Sequence, residues 1–134
     1  MTTRRDARRL AVDILFQADV TGSDARAVVE DWLGAGRKVP TFTRRLVAGV
    51  TEHRPELDAT IGSHAEGWRV ERMAAVDRTI LRLACYELRH GDVPPSVAID
   101  EAVRAAKELS TEDSGRFVNG VLGKIAAELG RASR

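Results

Sequence analysis

The sequence predicts an all-α protein, and three observations lead to that prediction. Apolar residues, which make up 43% of the 134 residues, recur at helical spacing through most of the chain. Glycines, prolines and clusters of capping residues divide the chain into segments of helix length. No stretch alternates apolar and polar residues for long enough to indicate a strand. We therefore expect six or seven amphipathic helices with short connections, folded as a single domain over residues 1–134.

Three helices are expected in the first half of the chain. The apolar residues of 4–20 recur on one helix face. Ser23 and Asp24 are residue types that favour N-caps, so a second helix is expected to begin there. A third helix follows a Gly-rich loop, with Thr41 or Thr43 as its cap. Pro55 lies inside its apolar pattern and predicts a kink or a split nearby.

The second half contains the strongest helical pattern, over residues 73–88, and Gly91 is expected to end it. Ser96 is a candidate N-cap for the next helix, and a last helix follows a polar junction. Gly120 and Gly123 lie inside the pattern of that last helix. Each costs about 1 kcal/mol relative to Ala in a helix, so we expect close approach of another helix to compensate.

Composition excludes several classes of protein. The net charge is only +1, from 21 basic and 20 acidic residues, so overall charge does not predict a polyanion-binding protein. The single Cys85 and the absence of a leader-like apolar N-terminus favour a reducing, cytoplasmic location, and no apolar run is long enough to cross a membrane. His53, His64 and His90 are scattered through the sequence, so we expect no metal, no cofactor and no catalytic site. Cys85 is expected to be a core residue.

The N-terminal arginines are the first feature that indicates binding. Four arginines fall within the first nine residues: Arg4, Arg5, Arg8 and Arg9. On a helix, Arg5, Arg9, Val12 and Phe16 would form one stripe, apart from the core face, with Arg8 beside it. Guanidinium groups bind phosphate oxygens and aromatic faces stack on unpaired bases, so this combination suits single-stranded RNA. The alternative is a solvated helix start with Phe16 in the core.

A second candidate binding segment begins the last helix. Asp113 or Ser114 as the N-cap would leave backbone N–H groups and Arg116 available to an anion, with Phe117 next along the helix. The alternative is an ordinary cap followed by core residues, with Asn119 as a buried amide. Residue pattern alone does not decide between these interpretations.

Taken together, these stretches resemble the NusB family of bacterial transcription antitermination factors. The resemblance is strong over about 74–126 and fair over 4–20, and it is carried by residues 15–17, 75–88, 93–94, 97–103, 106–107 and 117–122. It implies two packed three-helix bundles, no catalytic activity, and binding of single-stranded boxA RNA from ribosomal RNA operons. It also implies partnership with the small-subunit ribosomal protein NusE, other Nus factors and RNA polymerase.

The resemblance also assigns residues. It implies an RNA surface that joins the N-terminal arginines and Phe16 to the second candidate segment, which contains Asp113, Ser114, Arg116 and Phe117. Asp77 matches a family position on the face that meets the ribosomal protein. Asp100 stands where the family usually has Asn, and Gly123 where it usually has Asp, so any role of those side chains is lost.

Two other functions remain open from the sequence. NusB-like domains also accompany methyltransferase domains that act on ribosomal RNA, so the chain could be an accessory module for RNA modification. A helical homodimer that hides the arginine-rich helix is the third reading. Binding of a methyl donor and the oligomeric state in solution, respectively, distinguish these two from an RNA-binding adaptor.

Overall fold

Six α-helices and one short 3₁₀ helix form the regular structure of residues 3–132, the part of the chain that the computed structural model describes. The elements are α1 (Arg4–Thr21), α2 (Ala25–Gly34), α3 (Thr41–His64), the 3₁₀ helix (Val70–Arg72), α4 (Ala75–His90), α5 (Pro95–Leu109) and α6 (Glu112–Ala132). No strand occurs within these residues. The predicted all-α fold class is confirmed.

The chain divides into two compact units, and the division falls inside α3. The first unit ends at His53 and contains α1, α2 and the beginning of α3. The second begins at Arg54 and contains the rest of α3, the 3₁₀ helix and α4 to α6. The helix assignment of α3 continues through Pro55, so the predicted split of this helix is wrong.

Local capping explains where the helices of the first unit begin and end. Thr3 and Asp6 form a capping box, in which each side chain accepts a hydrogen bond from the backbone N–H of the other. Gly22 ends α1 in the left-handed conformation, with φ of 70°. The Asp24 carboxylate accepts a hydrogen bond of 2.8 Å from the N–H of Arg26 and so caps α2, as one of the two predicted caps.

The core of the first unit is aliphatic, with one buried hydroxyl. Thr43 Oγ1 donates a hydrogen bond of 2.8 Å to the carbonyl oxygen of Ala7, which ties α3 to α1, so Thr43 is not a helix cap. The buried apolar side chains of this unit come from α1, α2 and the beginning of α3: Ala7, Ala11, Val12, Ile14, Leu15, Val28, Val29, Trp32, Leu46, Val47 and Val50.

In the second unit, α4, α5 and α6 contact one another in pairs. The inward face of α5 is made of alanines, whose small side chains allow close approach, while α4 and α6 contribute larger residues: Ala98, Ala102, Ala105 and Ala106, with Ile80, Leu81, Leu83, Val118, Val121, Leu122 and Ile125. Pro94 precedes the first residue of α5, and the predicted cap by Ser96 is wrong.

The glycines of α6 behave differently from the prediction. A Cβ added at Gly120 or Gly123 would meet no atom within 4 Å, so neither position compensates its cost by close helix approach. At Gly115 an added Cβ would lie 2.7 Å from Lys107 Cγ. The close approach between α5 and α6 is therefore at Gly115, where the stem of Lys107 crosses the helix.

No helix within residues 3–132 combines the length and the apolar composition that a bilayer crossing requires.

Candidate nucleic-acid interface

The first two turns of α1 carry the four arginines in different environments. Arg4 and Arg5 are exposed and Arg9 is half-buried. Arg8 is buried, with only 8% of its surface exposed, although the sequence predicted it beside the Arg5–Phe16 stripe and apart from the core face. The Arg8 side chain is therefore part of the packed interior of the first unit.

Phe42 is the aromatic residue that contacts this cluster. The guanidinium carbon of Arg4 lies 4.5 Å from the centroid of the Phe42 ring, and that of Arg8 lies 5.4 Å from it. Both distances are within the range of cation–π attraction. The helical spacing paired the arginines with Phe16, which lies on the same helix. Phe42 instead contacts them from α3.

Phe16 and Val12 continue the predicted stripe, but not as a separate solvated surface. Val12 is 5% exposed and belongs to the core, and Phe16 is half-buried. The prediction that this stripe stands apart from the core face is therefore wrong at Val12. The exposed part of Phe16 is accessible to a partner, and its role in stacking on a base stays a prediction.

A second contact between a cation and an aromatic ring lies in the first unit. The guanidinium carbon of Arg37 stands 3.4 Å from the Trp32 ring centroid, and Trp32 Nε1 donates a hydrogen bond of 3.3 Å to Gln17 Oε1. Burial raises the pKa of Asp13, and the nearby charges of Arg9 and Arg37 partly offset that rise. This contact could not be predicted from helical spacing, because Arg37 lies in the loop between α2 and α3.

The predicted segment of the second unit begins at Asp113, the second residue of α6. Thr111 Oγ1 accepts a hydrogen bond of 3.0 Å from the N–H of Ser114, so Thr111 makes the capping contact that was predicted for Asp113 or Ser114. Arg116 forms an ion pair with Asp113 on the outer face of α6, where both side chains are strongly exposed. Asn119 is exposed, so the alternative of a buried amide is wrong.

Asp77 joins this segment through Ser114. Ser114 Oγ donates a hydrogen bond of 3.0 Å to Asp77 Oδ2 and lies 2.9 Å from Ser110 Oγ. The other carboxylate oxygen, Asp77 Oδ1, is buried and has no hydrogen-bond partner among the described residues. The residue predicted for the protein partner and the segment predicted for RNA therefore lie side by side in the second unit.

A pocket of about 200 Å³ opens beside this hydrogen bond. Its lining combines two aromatic rings with apolar and acidic side chains: Trp68, Met73, Ala74, Asp77, Asp113, Ser114 and Phe117. The rings of Trp68 and Phe117 meet edge to face, with centroids 6.0 Å apart and planes at 64°. We name this site the Trp68 pocket.

Sequence reasoning did not select Trp68. Its residue type could have indicated a functional position, because a tryptophan in a weakly patterned connection is not part of the apolar face of any predicted helix. Trp68 is 56% exposed, which is unusual for so large an apolar side chain.

Cys85 has no chemical role at this site. It is fully buried, and burial raises the pKa of its thiol to about 12, so the thiolate needed for nucleophilic attack does not form near neutral pH. The prediction that Cys85 fills the core is confirmed.

Most of the chain is similar in sequence to known proteins. The family model of the NusB family matches residues 5–127. The chain belongs to the NusB family. It is 52% identical over 130 residues to the transcription antitermination protein NusB of Saccharopolyspora erythraea, covering 94% of this chain and 88% of that relative. It is 50% identical over 135 residues to the protein of the same name from Symbiobacterium thermophilum, covering 92% and 88%.

Solved structures of NusB proteins have the same fold. A crystal form of T. maritima NusB has a TM-score of 0.84 at 38% identity, covering 95% of this chain and 92% of that one. A chain in the crystal structure of the antitermination factors NusB and NusE in complex with double-stranded RNA has a TM-score of 0.83 at 27% identity, covering 93% and 96%. The family assignment and the helical fold therefore agree.

Proposed function

We propose that this protein is a transcription antitermination factor that binds boxA RNA of ribosomal RNA operons together with the ribosomal protein NusE. Membership of the NusB family supports the proposal, and the NusB–NusE–RNA complex with the same fold indicates the class of both partners. Other Nus factors and RNA polymerase complete the assembly. We place this activity in the cytoplasm and assign the chain no catalytic reaction.

The single observation that most supports RNA binding in the first unit is the position of the guanidinium groups. The guanidinium groups of Arg4 and Arg8 converge on the ring of Phe42, and this cation–π contact orients both groups. Guanidinium N–H groups bind phosphate oxygens in a fork. The cluster of Arg4, Arg5, Arg8 and Arg9 thus supplies the electrostatic part of the affinity.

In the second unit we assign the RNA contact to Asp113, Ser114, Arg116 and Phe117, as the resemblance implies. Arg116 is the cation of this group and Phe117 its aromatic ring. The role of Asp77 as a contact to NusE stays a prediction. Because the net charge is only +1, we expect the chain alone to bind RNA modestly, with NusE increasing the affinity.

Salt dependence tests the role of the arginines. Four phosphate contacts on single-stranded RNA give a slope of log K against log[salt] of about −3, measured by fluorescence anisotropy with labelled boxA RNA and NusE present. Exchanging the two exposed arginines, Arg4→Gln with Arg5→Gln, should make the slope shallower by about 1.4. Arg26→Gln, an exposed arginine on α2, is the matched control and should leave the slope unchanged.

Two results would contradict the proposal. Undetectable boxA binding in the presence of NusE, or binding that does not respond to salt, would exclude phosphate contacts as the source of affinity. Light scattering at several concentrations, with and without RNA, tests the homodimer separately. A dimer that dissociates when RNA binds would show that the arginine-rich helix serves both interactions.

A further inference from the structure

Two histidines and a glutamate lie together on α3 and at the end of α4. His53, Glu56 and His90 each offer one ligand atom, and these three atoms all lie within 4.8 Å of one another. His53 and Glu56 are three residues apart on α3, so they share one face of a continuous helix. His90 is the last residue of α4. The histidines are scattered in the sequence, so residue spacing did not indicate this cluster.

The distances within the cluster fit a shared metal ion. Glu56 Oε1 and His90 Nε2 are 3.2 Å apart. Two ligand atoms of one tetrahedral zinc ion, each bonded at about 2.0–2.1 Å, lie about 3.4 Å from each other. Glu56 and His90 therefore already have the separation of two zinc ligands. The ligand atom of His53 joins them after a shift of no more than about 1.4 Å.

Neighbouring side chains orient two of the three ligands. Arg89 Nε lies 2.8 Å from Glu56 Oε1, and Arg89 Nη1 donates a hydrogen bond of 2.9 Å to Thr60 Oγ1. The ring of Tyr86 lies beside that of His90, with centroids 5.3 Å apart. Contacts of this kind around the ligands fix their positions in metal sites, and their loss commonly weakens metal binding by about 10- to 100-fold.

The charges around the cluster set the strength of binding. The carboxylate of Glu56 is negative, and α4 ends at His90, so the partial negative charge of a helix C-terminus lies at the same place. The guanidinium group of Arg89 opposes a second cation there. We therefore expect weaker binding than at a structural zinc site built from thiolates.

The types of ligand select the metal. Imidazole nitrogen suits Zn²⁺, whereas Mg²⁺ and Ca²⁺ prefer sites made of oxygen atoms. Two histidines with one carboxylate are a ligand set that protein zinc sites use, and water takes the fourth position. The side chains of Glu56 and His90 are 38% and 30% exposed, so an ion from solvent reaches both of them.

We propose that His53, Glu56 and His90 bind one Zn²⁺ ion, which links α3 to the end of α4 and keeps one water molecule as its fourth ligand. The ion replaces the hydrogen bond between His90 and Glu56, while Arg89 continues to hold the carboxylate. This site is separate from the arginines of α1 and from the Trp68 pocket. The proposal depends neither on RNA nor on NusE.

Titration of the untagged full chain with zinc chloride tests the proposal. Isothermal titration calorimetry in slightly alkaline buffer, where histidine is in its neutral, metal-binding form, should show one ion per chain. Magnesium chloride should show no binding. Co²⁺ adds a spectroscopic signature, because a four-coordinate Co²⁺ ion absorbs visible light much more strongly than the hydrated ion. Excess Zn²⁺ should abolish this absorption by occupying the same site.

Three variants test the ligands one at a time. His53→Gln, Glu56→Gln and His90→Gln should each weaken zinc binding by at least about tenfold and reduce the visible absorption of bound Co²⁺. His53→Gln is the most informative variant, because it leaves the ion pair between Glu56 and Arg89 in place. Circular dichroism at 222 nm checks that each variant remains folded.

Two control variants remove other groups that bind zinc. His64→Gln replaces the remaining histidine of the chain, which pairs with Glu128. Cys85→Ala removes the single thiol, which is fully buried. Both variants should bind zinc with unchanged affinity, because neither residue belongs to the cluster.

The possible results separate this site from others. A dissociation constant for zinc weaker than about 1 mM in the unchanged chain would overturn the proposal. Unchanged affinity in any of the His53, Glu56 or His90 variants would overturn the three-ligand site. Loss of binding in the His64 or Cys85 variant, with the other three unaffected, would place the metal elsewhere. None of these results bears on boxA binding, which is measured separately.

Discussion

Each of the two units buries an arginine, and the two are held in different ways. Arg8 in the first unit is 8% exposed and lies over the ring of Phe42. Arg82 in the second unit is 6% exposed and donates two hydrogen bonds, of 2.7 and 3.1 Å, to the carboxylate of Asp58. A ring contacts the face of a guanidinium, whereas a carboxylate engages its N–H edge. The first arrangement suits a binding surface and the second suits the internal structure of a bundle.

The same contrast extends to the candidate site. The first unit gathers positive charge on α1, which contributes affinity for phosphate without reading the sequence of the RNA. The Trp68 pocket in the second unit instead contains two aromatic rings, Trp68 and Phe117, and such rings can stack on unpaired bases. We therefore expect substitutions of the α1 arginines to change both the affinity and its salt dependence, and substitutions of the two rings to change the affinity with little effect on its salt dependence.

The largest expected effect on stability concerns Arg82. Asp58→Ala removes the carboxylate that accepts two hydrogen bonds from the buried guanidinium group of Arg82, so we expect a loss of about 3 kcal/mol in the free energy of unfolding. Urea denaturation measures the loss. Asp100→Ala, with the same change of charge on an exposed site, should shift stability by no more than about 0.5 kcal/mol. A loss below about 1 kcal/mol for Asp58→Ala would mean that the ion pair has little structural importance.

The next effect concerns the first unit. Thr43→Val replaces the buried hydroxyl that donates to the carbonyl of Ala7, so we expect a loss of about 1–3 kcal/mol. Thr51→Val is the control, because its hydroxyl donates to Val47 within the same helix and is only partly buried. Thermal unfolding by circular dichroism compares the two. Equal loss of stability in both variants would show that the hydrogen bond between α3 and α1 stabilises the fold no more than one within a single helix.

Phe42 should couple stability to RNA binding. Phe42→Leu keeps apolar volume but removes the ring under Arg4 and Arg8, so we expect about 1 kcal/mol less stability together with weaker boxA binding. Phe16→Leu on α1 is the comparison variant, because stacking of Phe16 on a base stays a prediction. If Phe16→Leu lowers RNA affinity and Phe42→Leu does not, Phe16 is the aromatic residue of the interface, as the sequence predicted.

The smallest effect is a pH dependence in the second unit. His64 Nδ1 donates to the carbonyl oxygen of Thr60 and its Nε2 pairs with Glu128; these contacts outweigh desolvation and raise the pKa of His64 above its ordinary value of 6.5. Stabilisation is therefore full below pH 6.5 and is lost as the pH rises through the higher pKa of the folded state.

Replacing the histidine tests this sign. His64→Gln should cost about 0.5 kcal/mol at pH 5.5 and less at pH 8.5, by urea denaturation at both values. Glu128→Gln keeps the histidine but removes its anionic partner. In this variant the free energy of unfolding should change less between pH 5.5 and pH 8.5. A cost that is larger at pH 8.5 would show that the neutral imidazole is the stabilising form.

Most of the helical framework could be predicted because its signals are local. The spacing of apolar residues located the ends of α1 within one residue and those of α4 within two, and Asp24 and Gly91 marked a start and a stop correctly. The N-cap predictions failed where several neighbouring residues were suitable caps. Thr111 caps α6 in place of Asp113 or Ser114, and α5 starts at Pro95 without the predicted serine cap.

The candidate site was predictable only in part. The arginines and residues 113–117 could be selected because each set is contiguous and contains the residue types that bind RNA. Phe42 and Trp68 could not be connected to them, because these contacts join positions far apart in the chain. The glycines show the same limit: Gly120 and Gly123 look alike in sequence to Gly115, yet only Gly115 has a side chain of another helix against it.

The sequence by itself determined the helices, the location of positive charge on α1 and the family resemblance, since these depend on residue type and on spacing within one turn or a few turns. Only the tertiary structure decided which ring lies under the arginines, that Asp77 bonds to Ser114, and that the other carboxylate oxygen of Asp77 is buried with no hydrogen-bond partner among the described residues. Those features depend on which helix faces pack together, and burial gives them their energetic weight, because an unpaired acceptor is costly only where water is excluded.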